Sequence, residues 1–468
     1  MVMGLGLHGG GLESARFLLK RGAQVTVTDL RDEKILAPSI EHLDRICSEL
    51  GGKPVRYILG KHETEDFKNA DIVIKNPGVR PDSPFLQAAK KIETDLSLFL
   101  NESKARLFAV SGTKGKSGTA SALHWILQSK RKTGKAYLGG NITVSPLTFL
   151  DSLSKDDDVV LELSSFQLGD IKKHVDADGG LLLKPKAAIL TSIMHDHLDR
   201  YASMDEYIDD KRNIYRGQDA SCVTIAGDDD WGKSFRAQTK ARPIIWSDNI
   251  LEEGQSGGWI DSEGIGAARL YNFEGVSEEL TELVPQKLLA PGKHQKLNML
   301  SAALAAYALG LQAQEIRGAL AEFKGIEHRL EFFHEANGVR FFNDSAATIP
   351  EAAAACIEAL TETSPLVLVT GGTDKNLDFS PLASAAKKAK AIILLAGSGS
   401  EKLSRLLAEN GIAAEGPFDD LDKAVRCAVS KAEKGDNAAL SPGCASFGMF
   451  LNEFDRGRKW KEAVMRLS

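Results

Sequence analysis

Short apolar runs alternate with amphipathic stretches along this chain of 468 residues, and most runs stop at glycine, serine, asparagine or aspartate. That alternation predicts strands and helices in turn, the pattern of parallel α/β sheets whose functional edge lies at the strand ends. The first run, Met1-Val2-Met3, leads into Gly4-Leu5-Gly6-Leu7-His8-Gly9, an amphipathic helix over 12–20 and a strand over 23–29. A further strand over 71–75 ends in Asn76-Pro77-Gly78. The first strand is short before Gly4, which points to a natural start a few residues upstream.

A second α/β pattern begins with a strand over 107–110, a glycine turn and a helix over 120–128. Strands over 159–163 and 187–191 follow, and a polar, glycine-rich stretch over 248–266 predicts exposed hairpins. An alanine-rich helix over 298–309 and another near 314–323 close this region. A third pattern has strands over 339–342, 366–370, 391–396 and 438–440, separated by helical segments. Three domains are expected, over 1–104, 105–325 and 326–468.

Composition changes little in this picture but excludes several classes. A hydrophobic share of 43% with 26% charged residues is that of an ordinary soluble globular protein. A net charge of -6, with both signs mixed, argues against a nucleic-acid binder. The five cysteines (Cys47, Cys222, Cys356, Cys427, Cys444) are widely spaced and form no C-x-x-C pair. They predict a reducing compartment and neither a disulfide framework nor a structural zinc site. The start enters a glycine loop at once, so no signal peptide is expected. No apolar run approaches the roughly 20 residues that span a bilayer. A cytoplasmic protein with no membrane contact is expected.

Candidate chemistry concentrates at the predicted strand ends. Gly4, Gly6 and Gly9 with Asp29 satisfy G-x-G-x-x-G plus an acid about 20 residues on, which alone would suggest a dinucleotide enzyme. Gly112-Thr113-Lys114-Gly115-Lys116-Ser117-Gly118 lies between strand and helix, where main-chain N–H groups wrap a phosphate. There Lys116 would reach the terminal phosphates and Ser117 would help hold magnesium. The loop is shorter than G-x-x-x-x-G-K-[ST], whose first glycine would fall at Val110. Glu162 ends an apolar strand, where a buried carboxylate needs a cation or hydrogen bonds; magnesium held by Ser117 and Glu162 is one solution. His195 and His197 form H-x-H without a third zinc ligand at suitable spacing. Lys211 follows a capping-box start at Ser203-Met204-Asp205-Glu206 and reads, by composition alone, as a solvated surface lysine.

Taken in order, these segments resemble the Mur ligases over essentially the whole chain, and within them the D-glutamate-adding branch. The resemblance rests on Gly112 to Ser117, Leu161-Glu162-Leu163-Ser164-Ser165-Phe166-Gln167-Leu168, Asp196-His197-Leu198-Asp199-Arg200-Tyr201 and Gly292-Lys293-His294 with Asn298. It continues with His328-Arg329, Asn343-Asp344-Ser345 and Ser441-Pro442-Gly443-Cys444-Ala445-Ser446. It implies a Rossmann-like first domain, a central P-loop ATPase-type domain with a mainly parallel sheet, and a Rossmann-like third domain. The activity implied is ATP-dependent joining of D-glutamate to UDP-N-acetylmuramoyl-L-alanine through an acyl phosphate, by a monomer.

The family's roles carry over by residue. Gly4, Gly6, Leu7, His8, Gly9, Asp29, Leu30, Asn76 and Gly78 would serve UDP, while Asn141 and Ser164 would meet the muramoyl group. Gly112 to Gly118, with Asn298, Arg329 and Asp344, would hold ATP. Two magnesium ions would be held by Ser117, Glu162, His197 and a carbamylated Lys211. Thr348, Lys375 and Ser446 would receive the amino acid. Ala346 and Ile349 stand where the family often has lysine and asparagine, so a related amide ligase adding another amino acid remains an alternative, as does a non-catalytic nucleotide sensor. Gln295 and the position of Phe454 are milder departures.

Overall fold

The fold is seen in a computed structural model, which describes residues 1–6, 9–130, 133–142, 144–197 and 200–467. Leu7 and His8, expected near UDP, and Leu198 and Asp199 of the histidine motif lie outside the described residues. Three sheets carry the chain. It folds as two compact units, one of Met1–Val284 with Leu297–Ala319 and one of Pro285–Lys296 with Leu320–Ser468.

The first sheet holds β1 (Val2–Met3), β2 (Thr26–Asp29), β3 (Arg56–Leu59), β4 (Val73–Lys75) and β5 (Ile92–Glu93), all parallel, in the order β3-β2-β1-β4-β5. The order reverses at β1, so the glycine loop after Met3 opens at a switch point of the sheet, where α/β folds bind ligands.

The central sheet holds β6 (Arg106–Ser111), β7 (Ala136–Gly140), β8 (Asp158–Glu162), β9 (Ala187–Leu190), β10 (Val223–Gly227), β11 (Arg242–Ser247), β12 (Gly257–Ile260), β13 (Gly266–Arg269) and β14 (Thr281–Val284). Its order is β14-β13-β12-β11-β10-β9-β6-β8-β7, parallel from β7 through β12. Here β6 is the switch strand, between β8 and β9, and the phosphate-loop sequence starts at its end. Strands β8 and β9 are buried along their whole length, which is why both read as unbroken apolar runs.

The stretch over 248–266 departs from expectation. Its antiparallel pair β12 and β13 is largely buried and extends the central sheet. Glycine and alanine occupy this hairpin because helix Lys293–Ala308 packs on it: a side chain at Gly258 would meet Leu300 and Leu304. Small residues under a helix look, in sequence, like a polar loop.

The second unit holds β15 (Glu331–Ala336), β16 (Val339–Asn343), β17 (Leu366–Thr370), β18 (Ala391–Leu395), β19 (Glu415–Phe418) and β20 (Asn437–Leu440), in the order β15-β16-β20-β17-β18-β19. Only β15 among them pairs antiparallel. The edge strands β15 and β19 were not expected: the first carries charged residues and the second contains Gly416 and Pro417, so neither shows a buried-strand pattern.

A shared core explains why the first two sheets fall in one unit. Phe17, Leu96, Phe99 and Leu100 pack in the same buried cluster as Leu147, Phe149, Leu161 and Leu190. Phe99 meets Phe149 edge-on at 6.0 Å between ring centroids. Fully buried Phe99 supplies an aromatic contact that alanine cannot replace. Phe99→Ala is expected to lower unfolding free energy by about 3 kcal/mol, measured by denaturant titration with a probe in each sheet.

Candidate active site

Strand order brings the end of β6 and the end of β8 side by side. Val110 lies opposite Glu162 in register, Leu163 donates its N–H to the Val110 carbonyl at 2.8 Å, and Ser111 Oγ donates to the Leu163 carbonyl at 2.8 Å. The glycine loop then folds back tightly. Gly112 has φ 145 and a Cβ there would sit 1.9 Å from Thr191 Oγ1; Gly115 has φ 90 and a Cβ would sit 2.4 Å from Asn298 Oδ1. Neither position can hold a side chain without rebuilding the loop. Thr191 fastens it further, its hydroxyl donating to the Lys114 carbonyl at 2.6 Å. Helix Lys116–Lys130 starts at once, with no acidic residue in its first turn. Its N-terminal dipole therefore faces the loop unopposed by a carboxylate of that turn, which suits an anion. Ser117 is half-buried there, Gly118 is buried and Lys114 is exposed.

Two lysines converge on one carbonyl. Lys116 Nζ donates to the Gly112 carbonyl at 3.1 Å and the Thr113 carbonyl at 2.9 Å. Lys211 Nζ donates to the same Gly112 carbonyl at 2.8 Å and lies 3.4 Å from Ser111 Oγ. Lys211 is 1% exposed, so composition alone misplaced it at the surface. Burial, with the Lys116 charge adding, lowers its amine to about 7. The Tyr207 ring lies 4.5 Å from Lys211 Nζ, and the Tyr207 hydroxyl is 2.9 Å from Thr113 Oγ1. The sequence did not single out Tyr207 or Thr191, because both act through contacts distant in the chain.

Glu162 is 2% exposed. Its Oε1 accepts from Asn141 Nδ2 at 3.2 Å, while its buried Oε2 has no hydrogen-bond partner among the described residues. A carboxylate left in that state is costly unless a cation arrives. With Ser117 following the glycine loop at the end of the neighbouring strand β6, the donor set is the oxygen-rich kind that magnesium takes. His197 is exposed and sits at φ 55, its ring 4.8 Å from that of Phe166 and 6.2 Å from that of Tyr207. Tyr207 thus neighbours both His197 and Lys211. Ser164 caps helix Ser165–Ile171 in a capping box with Gln167, which fixes the chain just after Glu162.

The first sheet's loop is organised by two side chains. Asp29, 5% exposed, accepts from Gly6 N at 3.2 Å and Arg31 N at 2.9 Å. Asn76 donates to the Gly4 carbonyl at 3.5 Å and accepts from Gly78 N at 3.1 Å. Leu30 projects into solvent at 68% exposure, available to an apolar ligand surface.

In the second unit, Asp344 accepts from Leu330 N at 3.0 Å and Ser441 Oγ at 2.6 Å, and burial raises its carboxyl to about 6. Gly443 N donates to the Ala347 carbonyl at 2.9 Å, and Thr373 pairs with Ala445. These links gather the loops of half-buried Thr348, exposed Lys375 and buried Ser446 at one sheet edge. Arg329 is exposed. Arg456, missed in the sequence, is fully buried beneath them and donates to Ser345 Oγ, the Ser345 carbonyl and the Cys444 carbonyl at 3.0, 2.9 and 3.1 Å.

A glycine loop, a lysine and an unsatisfied buried acid at a sheet's switch point define the class of α/β nucleotide-dependent proteins. Comparison with known proteins narrows it. Family models match over 1–96 (Mur ligase MurD-like, N-terminal domain), 110–306 (Mur ligase middle domain) and 328–444 (Mur ligase, glutamate ligase domain). The UDP-N-acetylmuramoylalanine--D-glutamate ligase of Treponema pallidum (strain Nichols) is 38% identical, over 99% of this chain and 96% of that protein. The enzyme of that name from Borreliella afzelii (strain PKo) is 39% identical, over 99% and 97%. Among solved structures, MurF from Acinetobacter baumannii superposes with a TM-score of 0.58 at 15% identity, over 95% of this chain and 92% of that one. MurC from Thermotoga maritima gives 0.57 at 20% identity, over 100% and 99%. The chain belongs to the Mur ligase family, with its three-domain α/β fold. Among the described residues no helix is long and apolar enough to cross a membrane.

The Lys211 amine is mostly protonated below pH about 7 and mostly free above it. Capture of ¹³CO₂ as a carbamate, read by NMR, is therefore expected to rise with pH through about 7 and to vanish in Lys211→Met. Capture equal in both proteins would contradict this.

Proposed function

We propose that this chain joins D-glutamate to the alanyl carboxylate of UDP-N-acetylmuramoyl-L-alanine, using ATP, in peptidoglycan precursor synthesis. Full-length relatives of that name support the substrates, and the buried, unpartnered Glu162 oxygen beside the phosphate loop is the observation that carries the chemistry. The working division is 1–104 for UDP, 105–325 for ATP and 326–468 for the amino acid.

ATP's phosphates lie along the Gly112–Gly118 backbone and the helix terminus. Lys116, which in the free protein donates into its own loop, exchanges those carbonyls for phosphate oxygens. Ser117, Glu162, His197 and carbamylated Lys211 would hold two magnesium ions, which supply neutralisation of the anionic groups that must meet. Carbamylation fits the buried amine, whose charged form burial disfavours: the free-base nitrogen attacks CO₂, a proton leaves, and the anionic carbamate offers its oxygens as ligands.

Asn141 and Ser164 orient the muramoyl group so that the alanyl carboxylate attacks the γ-phosphorus, releasing ADP and leaving an acyl phosphate. Thr348, Lys375 and Ser446 bind the incoming amino acid, whose neutral amine attacks the acyl carbon. The tetrahedral adduct collapses to the amide as inorganic phosphate departs and the amine sheds its proton. Asn298 positions the nucleotide, and cationic groups stabilise the charge that develops on the transferring phosphoryl group. Water reaching the acyl phosphate would waste it, so Thr348, Lys375 and Ser446 also serve by holding the acceptor amine ready to attack.

Phosphate release measured against a panel of D- and L-amino acids tests the acceptor. Release is expected with D-glutamate and only when the alanyl sugar nucleotide is present; preference for another amino acid would move the chain to another branch. Lys116→Ala is expected to lower kcat by at least about a thousandfold, and turnover near wild type would remove the phosphate-loop role.

A further inference from the structure

A cleft of about 920 Å³ opens within the first unit, lined by Lys75 of the first sheet, Phe166 and Asp170 of helix Ser165–Ile171, and Arg200 and Tyr201, among others. Arg200 in its wall acts in two directions. Its main-chain N–H donates to the His197 carbonyl at 2.9 Å, and that of Tyr201 does so at 3.1 Å, which ties both residues to His197. Its guanidinium donates to the carbonyls of Pro77, Gly78 and Val79 at 3.3, 3.4 and 3.2 Å. The flat face of the same group lies 3.6 Å from the Phe166 ring centroid.

Phe166 in turn belongs to the helix capped by Ser164, and its ring touches that of His197. A second fastening runs alongside. Lys75, 3% exposed and immediately before Asn76, pairs with Asp170 of that helix at 2.6 Å.

We infer that Arg200 is a positioning residue that couples the Asn76–Gly78 loop to His197, so that sugar-nucleotide binding and cation binding set each other's geometry. This rests on the proposed assignment of those two segments to the sugar nucleotide and the metal. A guanidinium can hold several carbonyls of one loop from a single plane while stacking on an aromatic ring; an ammonium cannot. Because the main-chain half of the link survives substitution, removing the side chain frees the 76–78 loop while the bonds to the His197 carbonyl remain. The effect is therefore expected on the sugar nucleotide first, on the cation second and on ATP least.

The test compares wild type, Arg200→Ala and Arg200→Lys. In Arg200→Ala the KM for UDP-N-acetylmuramoyl-L-alanine is expected to rise about tenfold, with half-saturating Mg²⁺ raised and the KM for ATP within about twofold. Arg200→Lys, which keeps the charge and guards against a folding failure of the alanine variant, is expected to show the same split at smaller size. Calorimetric binding of UDP alone is expected to weaken in parallel, and this reads the coupling even if the acceptor proves different. A sugar-nucleotide KM and UDP affinity unchanged in both folded variants would overturn the inference, as would equal rises in both substrates' KM. Wild-type protein that binds UDP but forms no amide would sink the proposed function and leave this inference standing.

Discussion

The fold leaves one charge unsatisfied where it has every means of excluding water. Glu162 ends a strand buried on both sides, and one of its carboxylate oxygens has no hydrogen-bond partner among the described residues. Nearby, Lys211 is held in the interior with its amine bonded to a loop carbonyl and no carboxylate at ion-pair distance among the described residues. Such groups destabilise a protein that never binds anything. Their persistence at the carboxyl ends of β6 and β8, beside a glycine loop that opens a helix, makes sense if ligands complete the site.

Everything around that centre restricts movement. Thr191 and Tyr207 tie the phosphate loop down, Ser164 caps the helix after Glu162, and Arg200 bridges to the first sheet. The first and central sheets share an apolar core through Phe17, Leu96, Phe99 and Leu100. A loop held firmly in place can orient a phosphoryl group; a loose one cannot. In the second unit, fully buried Arg456 performs the corresponding service for the loops of Asp344 and Ser446, donating to hydroxyl and carbonyl oxygens that gather there.

Much of this was legible in the sequence, and the reasons differ by element. Strands such as β8 and β17 are buried on both faces and announce themselves as apolar runs; the glycine loop between β6 and its helix is written in consecutive residues. The hairpin of β12 and β13 was misjudged as exposed because glycine and alanine packed beneath Leu300 and Leu304 have the composition of a loop. Edge strands β15 and β19 lack a two-sided apolar pattern and gave no signal. Lys211 is the instructive residue: nothing in its neighbours by sequence distinguishes it from a surface lysine, and only the fold puts it under the phosphate loop. The resemblance to the Mur ligases singled it out where local pattern could not, while Tyr207, Thr191 and Arg456 act through tertiary contacts that no local pattern encodes.

Glu162 Oε2, buried and without a hydrogen-bond partner among the described residues, is the atom left to bind a divalent cation. Electron paramagnetic resonance of Mn²⁺ added with ADP measures that directly in the full chain. The account predicts saturable Mn²⁺ binding that weakens at least about tenfold in Glu162→Gln, a substitution that keeps the shape and the Asn141 contact while removing the charge. Equal Mn²⁺ affinity in the two proteins would contradict it.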